Sequence, residues 1–311
     1  MTTKILFAAP QDHWDKYGAA LTEALDATGI DYRLGRDLPA EEVEYIVYAP
    51  SSGLTDFTGF PRLKAVLSLW AGVEKIVGTA RIPVPLARMV DDEGLTQGMV
   101  EYVTGHALRH HLGMDAHIVN PEHRWESKAP PLARERPVTV LGLGMLGSAC
   151  ARQLAQIGFP VTGWSRSPRD IDGIRCLSGA EGLAEALTGA QIVVLLLPFT
   201  RQTENTLGAE QMALLAPGAA IINPGRGPLI DDTALLAALD SGQVGQATLD
   251  VFRVEPLPQD HPFWAHPRVT VTPHIAAETR PASATRVIAE NVRRGVTGAP
   301  LLHLVDQDAG Y

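Results

Sequence analysis

Residues 138–147 read VTVLGLGMLG. Val138–Leu141 is a short β-rich apolar run, the pattern of a buried strand. Gly142, Leu143, Gly144, Met145, Leu146 and Gly147 follow at once and lead into a helical pattern over Leu146–Gln156. Strand, Gly-x-Gly-x-x-Gly, helix is the order that a dinucleotide-binding turn requires. Gly142 permits the tight turn, Gly144 lets the backbone approach a pyrophosphate, and Gly147 packs helix on strand. Met145 and Leu146 then open a helix whose first amides face the phosphates.

Outward from this turn the pattern repeats. Toward the C-terminus, apolar runs at Pro160–Trp164, Ile192–Leu197, Ala220–Asn223, Ala247–Val251 and Val269–Thr272 predict further strands. Toward the N-terminus, Lys4–Ala9, Tyr45–Ala49 and Ala65–Leu69 read as strands and Asp15–Ala27 as a helix ended by Gly29. Strands alternating with helices imply mostly parallel sheets, so the fold class is α/β. A length of 311 residues fits two domains. A long helical pattern starts near Thr96 and leads into an arm punctuated by Pro121, Pro130, Pro131 and Pro137. Ala282–Gly295 is again helical, with apolar positions at Ala284, Val287, Ile288 and Val292.

Composition narrows the classes further. A net charge of −9 with no Lys/Arg-rich block argues against a nucleic-acid partner. The longest apolar run, Ile192–Leu197, ends at Pro198 and is far short of the roughly 20 residues of a membrane span. Ile5–Pro10 is too short and too polar-flanked for a signal peptide. Cys150 and Cys176 form no CxxC pair and suit a reducing compartment, so a cytoplasmic location is expected.

The strand Pro160–Trp164 bears on the cofactor. An NAD site usually carries an acid at this strand end to hold the ribose 2′-hydroxyl. Here Ser165, Arg166, Ser167 and Pro168 follow, with no acid before Asp170. Hydroxyls and a guanidinium donate to a 2′-phosphate that a carboxylate would repel. NADP(H) is therefore the expected cofactor, with NAD(H) possible. Three further polar residues stand just past apolar runs: Arg226 in Asn223-Pro224-Gly225-Arg226-Gly227, Glu255 after LDVF at 249–252, and His274 after Val271-Thr272-Pro273. Ligands collect beyond the carboxyl ends of parallel strands, so a cation, an acid and an imidazole at three such ends suggest one constellation.

With these motifs in hand, the chain resembles the D-isomer-specific 2-hydroxyacid dehydrogenase family. The matching pieces are GLGMLG at 142–147, LLLPFTRQTENTLG at 195–208, INPGRGPLIDDTALLAALDSGQV at 222–244, LDVFRVEPLP at 249–258 and HPRVTVTPHIAA at 266–277. The ending, Val305-Asp306 through Gly310-Tyr311, matches as well. The resemblance is nearest to the branch that reduces glyoxylate and hydroxypyruvate. It implies two Rossmann-like domains, one flavodoxin-like and one dinucleotide-binding, with a deep interdomain cleft. By that pattern residues 98–278 bind the dinucleotide, and 1–97 with 279–311 form a discontinuous substrate domain.

The resemblance also assigns roles. Arg226 binds and polarises a small 2-oxo acid, His274 is the proton donor, and Glu255 orients the imidazole and favours its charged form. Asp250 takes the nicotinamide carboxamide, and Pro198 and Thr203 line the cofactor. The loop Trp70-Ala71-Gly72-Val73 holds the substrate carboxylate through backbone amides, notably those of Ala71 and Gly72. The loop Ala49–Thr55 departs from relatives, which carry bulkier residues there. The expected reaction is NADPH-dependent reduction of short 2-oxo acids to 2-hydroxy acids. The alternatives are another dehydrogenase of the family, acting on phosphoglycerate or formate, and a non-catalytic dinucleotide-sensing protein. The arm through Trp125 either anchors within one subunit or, as in the family, reaches across a homodimer.

Two conspicuous features receive plain readings. Five of the ten histidines (His106, His110, His111, His117 and His123) cluster, but Ala107 stands where a zinc protease would need Glu, so no metal is expected. Cys150 is expected to be a small buried hydrophobe.

Overall fold

The structure, a computed structural model, describes residues 2–307. Gly310 and Tyr311 of the tail lie outside the described residues. The chain divides into two compact units: one runs up to Leu95 and resumes at Thr279, and the other is Thr96–Glu278. Among the described residues, the helices of ten or more residues are α1 (Gln11–Asp26), α2 (Gln97–Leu112), α3 (Met145–Ile157), α4 (Asp232–Ser241) and α5 (Pro281–Thr297). No helix among them is long and apolar enough to cross a membrane.

The first unit is built on β1 (Thr3–Ala8), β2 (Tyr32–Gly35), β3 (Tyr45–Tyr48), β4 (Ala65–Ser68) and β5 (Leu86–Ala87). They pair in the order β2-β1-β3-β4-β5 and all run parallel, which is the flavodoxin-like order. β3 and β4 are buried at every position, as expected for central strands covered on both faces. α1 buries Tyr17, Leu21 and Leu25, and α5 buries Ala284, Ile288 and Val292. The two helices pack on each other, so the chain's last long helix completes the unit its first helix began.

The second unit holds β6 (Val138–Leu141), β7 (Val161–Ser165), β8 (Arg175–Ser178), β9 (Ile192–Leu195), β10 (Ala219–Asn223), β11 (Val244–Leu249) and β12 (Val269–Val271). Their order is β12-β11-β10-β9-β6-β7-β8, again all parallel. Counted from β6 this is the doubly wound dinucleotide-binding order, extended by one strand. Its topological switch point lies between β6 and β9. β6, β9 and β10 are wholly buried. α3 lays Cys150, Ala151 and Leu154 against them and ends at Gly158, whose φ of 111° suits the left-handed cap. Burial pushes the Cys150 thiol up to about 12, so it is an inert core residue.

Candidate active site

The site is assembled at the carboxyl ends of the seven-stranded sheet. At the end of β6, Gly142 has φ 105°, and a Cβ there would sit 2.5 Å from the Leu196 carbonyl oxygen. A Cβ on Gly147 would collide with the Gly142 carbonyl oxygen. Packing demands both glycines. Gly144 differs: its φ is −70°, and a Cβ would meet no protein atom within 4 Å. It is the N-cap residue of α3, and no side chain caps that helix. The turn thus presents open space in front of unsatisfied helix amides, the surroundings that a pyrophosphate fills. The residues present fit a dinucleotide.

The end of β7 carries Ser165, Arg166 and Ser167. Both serine hydroxyls were expected to face a 2′-phosphate. In the structure the buried Ser165 hydroxyl donates to the Ser167 carbonyl at 2.7 Å. A hydroxyl withdrawn from water must find a partner, and here it closes the turn. Arg166 and Ser167, the next two residues of the turn, are exposed. After β9, the Thr203 hydroxyl donates to the Pro198 carbonyl at 2.7 Å and accepts from the Thr200 amide at 2.8 Å. Pro198 and Thr203 therefore form one tight turn beside the switch point.

Arg226 follows β10 in a turn shaped by close approach. A Cβ on Gly225 would lie 2.7 Å from the Leu195 carbonyl oxygen, and one on Gly227 would run into the backbone of Phe252 and Arg253. Asn223 clamps the turn, its amide donating to the Arg226 carbonyl at 2.9 Å and its oxygen accepting from the Gly225 amide at 3.2 Å. The half-buried guanidinium donates to the Gly225 carbonyl at 2.6 Å.

Glu255 and His274 meet past β11 and β12. The Glu255 carboxylate accepts from the Phe252 amide at 2.9 Å through Oε1 and contacts His274 Nδ1 at 2.9 Å through Oε2. An ionised carboxylate only accepts, so Nδ1 carries the proton and Nε2 is left for a ligand. The imidazole is about half exposed.

His274 is held in the left-handed region, φ 56°, which is uncommon for a residue with a Cβ. Asp250 holds it there. Its backbone carbonyl accepts from the His274 amide at 2.9 Å, and its fully buried carboxylate takes the next two amides. Ile275 donates to Oδ1 and Ala276 to Oδ2, both at 2.9 Å, and the Thr272 hydroxyl donates to Oδ1 at 2.6 Å. Three donors occupy three of about four acceptor positions of a carboxylate. Asp250 thus builds the loop that presents His274, a role that no spacing in the sequence announces. Ala71 and Gly72 belong to the other unit, in the turn after β4. The Ser68 hydroxyl accepts from the Trp70 amide at 3.0 Å there, and the Met89 amide donates to the Trp70 carbonyl at 3.0 Å.

Known proteins resemble this chain over its full length. Residues 104–276 match the family model described as D-isomer specific 2-hydroxyacid dehydrogenase, NAD binding domain. A protein of Serratia proteamaculans named glyoxylate/hydroxypyruvate reductase A is 39% identical over 99% of both chains. A D-isomer specific 2-hydroxyacid dehydrogenase from Xanthobacter autotrophicus Py2, solved with NADPH and MES, is 39% identical. It matches over 100% of both chains with a TM-score of 0.90. An NADPH-dependent glyoxylate/hydroxypyruvate reductase from Sinorhizobium meliloti, solved with NADP and sulfate, is 34% identical. It covers 100% of this chain and 99% of its own, with a TM-score of 0.86. The doubly wound sheet, the open glycine turn and these full-length likenesses lead to one conclusion: the chain belongs to the D-isomer-specific 2-hydroxyacid dehydrogenase family.

Proposed function

We propose that the chain reduces short 2-oxo acids such as glyoxylate and hydroxypyruvate to the corresponding 2-hydroxy acids, with NADPH preferred over NADH. The 2.9 Å contact between Glu255 and His274 Nδ1 carries this reading, because it leaves Nε2 of an oriented imidazole facing outward as a proton donor. The names of the relatives described above support the substrate class.

When bound, NADPH supplies the hydride that arrives at the carbonyl carbon. The chain's own residues do the rest. His274 delivers a proton from Nε2 to the carbonyl oxygen, a general-acid contribution of about 10²–10⁴-fold. Glu255 keeps the ring oriented and offsets its charge. Arg226 binds the substrate carboxylate and polarises the carbonyl, preorganised where negative charge develops. By the family's pattern the backbone amides of Ala71 and Gly72 also receive that carboxylate. Gly142, Gly144, Met145, Leu146 and Gly147 form the pyrophosphate turn, and Pro198 and Thr203 line the cofactor. By the same family pattern Asp250 takes the nicotinamide carboxamide. In this reading residues 98–278 are the dinucleotide-binding domain, and 1–97 with 279–311 the substrate domain.

The arm after α2 supports a homodimer. Ile118, Val119 and Trp125 are largely exposed, Trp125 to 96%, so Trp125 is no anchor within its own chain. Apolar surface of this kind favours burial against a second copy. Free Cys150 and Cys176 suit the cytoplasm.

The test is NADPH and NADH oxidation with glyoxylate, hydroxypyruvate and pyruvate, in wild type and Arg166→Ala. Loss of one charge-assisted contact to a 2′-phosphate should lower kcat/KM with NADPH about 10- to 100-fold, while NADH use stays within about threefold. An equal loss with both cofactors would remove Arg166 from the 2′-phosphate, and no turnover of any 2-oxo acid would overturn the reaction itself.

A further inference from the structure

Helix α2 carries a polar stripe. Tyr102, His106 and His110 stand four residues apart, one above the other on the same helix face. They meet side chains of β11 and of the residue after β12. His110 contacts Gln246 through Nδ1 at 2.8 Å and the Thr248 hydroxyl through Nε2 at 2.9 Å. His106 packs against Tyr102 with ring centroids 4.4 Å apart and the ring planes tilted by 51°. The Tyr102 hydroxyl lies 2.6 Å from the Thr272 hydroxyl, 170 positions along the chain.

We infer that Tyr102 and Thr272 are positioning residues for His274, acting through the buried carboxylate of Asp250. The direction of the hydrogen bonds supports this. Thr272 gives its single hydroxyl proton to Asp250 Oδ1, so in the 2.6 Å contact Tyr102 must be the donor. Burial raises the Tyr102 phenol well above its ordinary value, which keeps that proton in place at any working pH. The chain of donors runs from Tyr102 to Thr272 to Asp250, and Asp250 in turn grips the amides of Ile275 and Ala276. Those two amides close the loop that holds His274 at positive φ. Removing a donor lets the carboxylate turn toward other partners, and the His274 loop is the element that gives. His106 and His110 bond to Thr248 and Gln246 instead and serve as packing in the same stripe.

The inference rests on the reading of His274 as proton donor, so two readouts are paired: kcat and KM for glyoxylate, and the His274 Cε1–H resonance of the cofactor-free protein, assigned by its loss in His274→Gln. Thr272→Val should lower kcat about 10- to 100-fold with KM within about threefold, and Tyr102→Phe about 3- to 10-fold. Both should move the His274 resonance. Thr272→Ser, which keeps the hydroxyl, should restore both readouts. His110→Gln should lower thermal stability yet leave kcat within about twofold and the resonance in place. If Thr272→Val and Tyr102→Phe lose stability alone, as His110→Gln does, or if serine fails to rescue, the inference is overturned. If wild type turns over no 2-oxo acid, the reaction assigned above fails, and the resonance still decides whether Tyr102 and Thr272 place His274. Where Thr272→Val does not fold, Tyr102→Phe carries the test.

Discussion

Replacing Gly144 by serine sets fold stability and cofactor affinity moving in different directions. Gly144 has an extended N-cap conformation that any residue adopts, and a Cβ there meets nothing in the protein. Serine is a preferred N-cap residue, better than glycine by a few tenths of a kcal/mol. The variant should therefore unfold at the wild-type temperature or about 1 °C above it, given the few degrees per kcal/mol of a domain this size. Cofactor binding should suffer twice over. The new side chain occupies the space a pyrophosphate needs, and its hydroxyl accepts from the same helix amides. A hydrogen bond to a charged group contributes about 1.5–3 kcal/mol, so losing one weakens NADPH binding roughly 10- to 150-fold. Gly147→Ala is the counter-case. Its Cβ collides with the Gly142 carbonyl, so overpacking of about 1–3 kcal/mol should lower stability and binding together. Thermal unfolding without ligand and calorimetric titration with NADPH measure the two effects. If Gly144→Ser binds NADPH within twofold of wild type, the open face of the turn is not where the phosphates lie.

Arg226→Ala should raise KM and lower kcat together, for a loss in kcat/KM of about 10³, because one guanidinium serves both binding and polarisation; a change in KM alone would leave it a binding residue only. Acid should destabilise the fold through two histidines of α2, the partly buried His106 and the buried His110. Burial, with Arg109 and His110 nearby, pushes His106 down to about 4 from 6.5, and burial lowers His110 as well. Below pH 6.5 the unfolded chain binds protons that the fold refuses, so this stability is complete above pH 6.5 and is lost as pH falls toward 4. Discounted for the partial exposure of His106, its share is about 1 kcal/mol between pH 7.5 and pH 5. Urea unfolding at both pH values, with His106→Gln removing that difference, checks it. Light scattering at micromolar concentration should return a dimer, and Trp125→Asp should shift it toward monomer.

Most strands were legible because central strands of parallel sheets are continuous apolar runs. Val138–Leu141 coincides with β6, and Tyr45–Ala49 and Ala65–Leu69 differ from β3 and β4 by one residue. β2, β5 and β8 carry no such signal, and each lies at a sheet edge. YRLG and RCLS bury only part of their side chains, and β5 has two residues, so no apolar periodicity marks them. Arg226, Glu255 and His274 were visible singly at strand ends. What joins the last two is the adjacency of β11 and β12, a property of sheet order. The grip of Asp250 on the His274 loop, and the reach of Tyr102 to Thr272, depend on contacts between distant segments that carry no local signature. The turn of the Ser165 hydroxyl toward the Ser167 carbonyl depends likewise on burial, which the sequence does not display.

The role of His274 is tested most directly by single-turnover reduction of glyoxylate by NADPH, in wild type and His274→Gln. Wild type should oxidise NADPH, and the variant should bind NADPH with wild-type affinity while its rate falls at least about 100-fold, the loss expected of an absent general acid. A variant that keeps the wild-type rate would show that the proton comes from elsewhere and that the Glu255–His274 pair is not the catalytic centre.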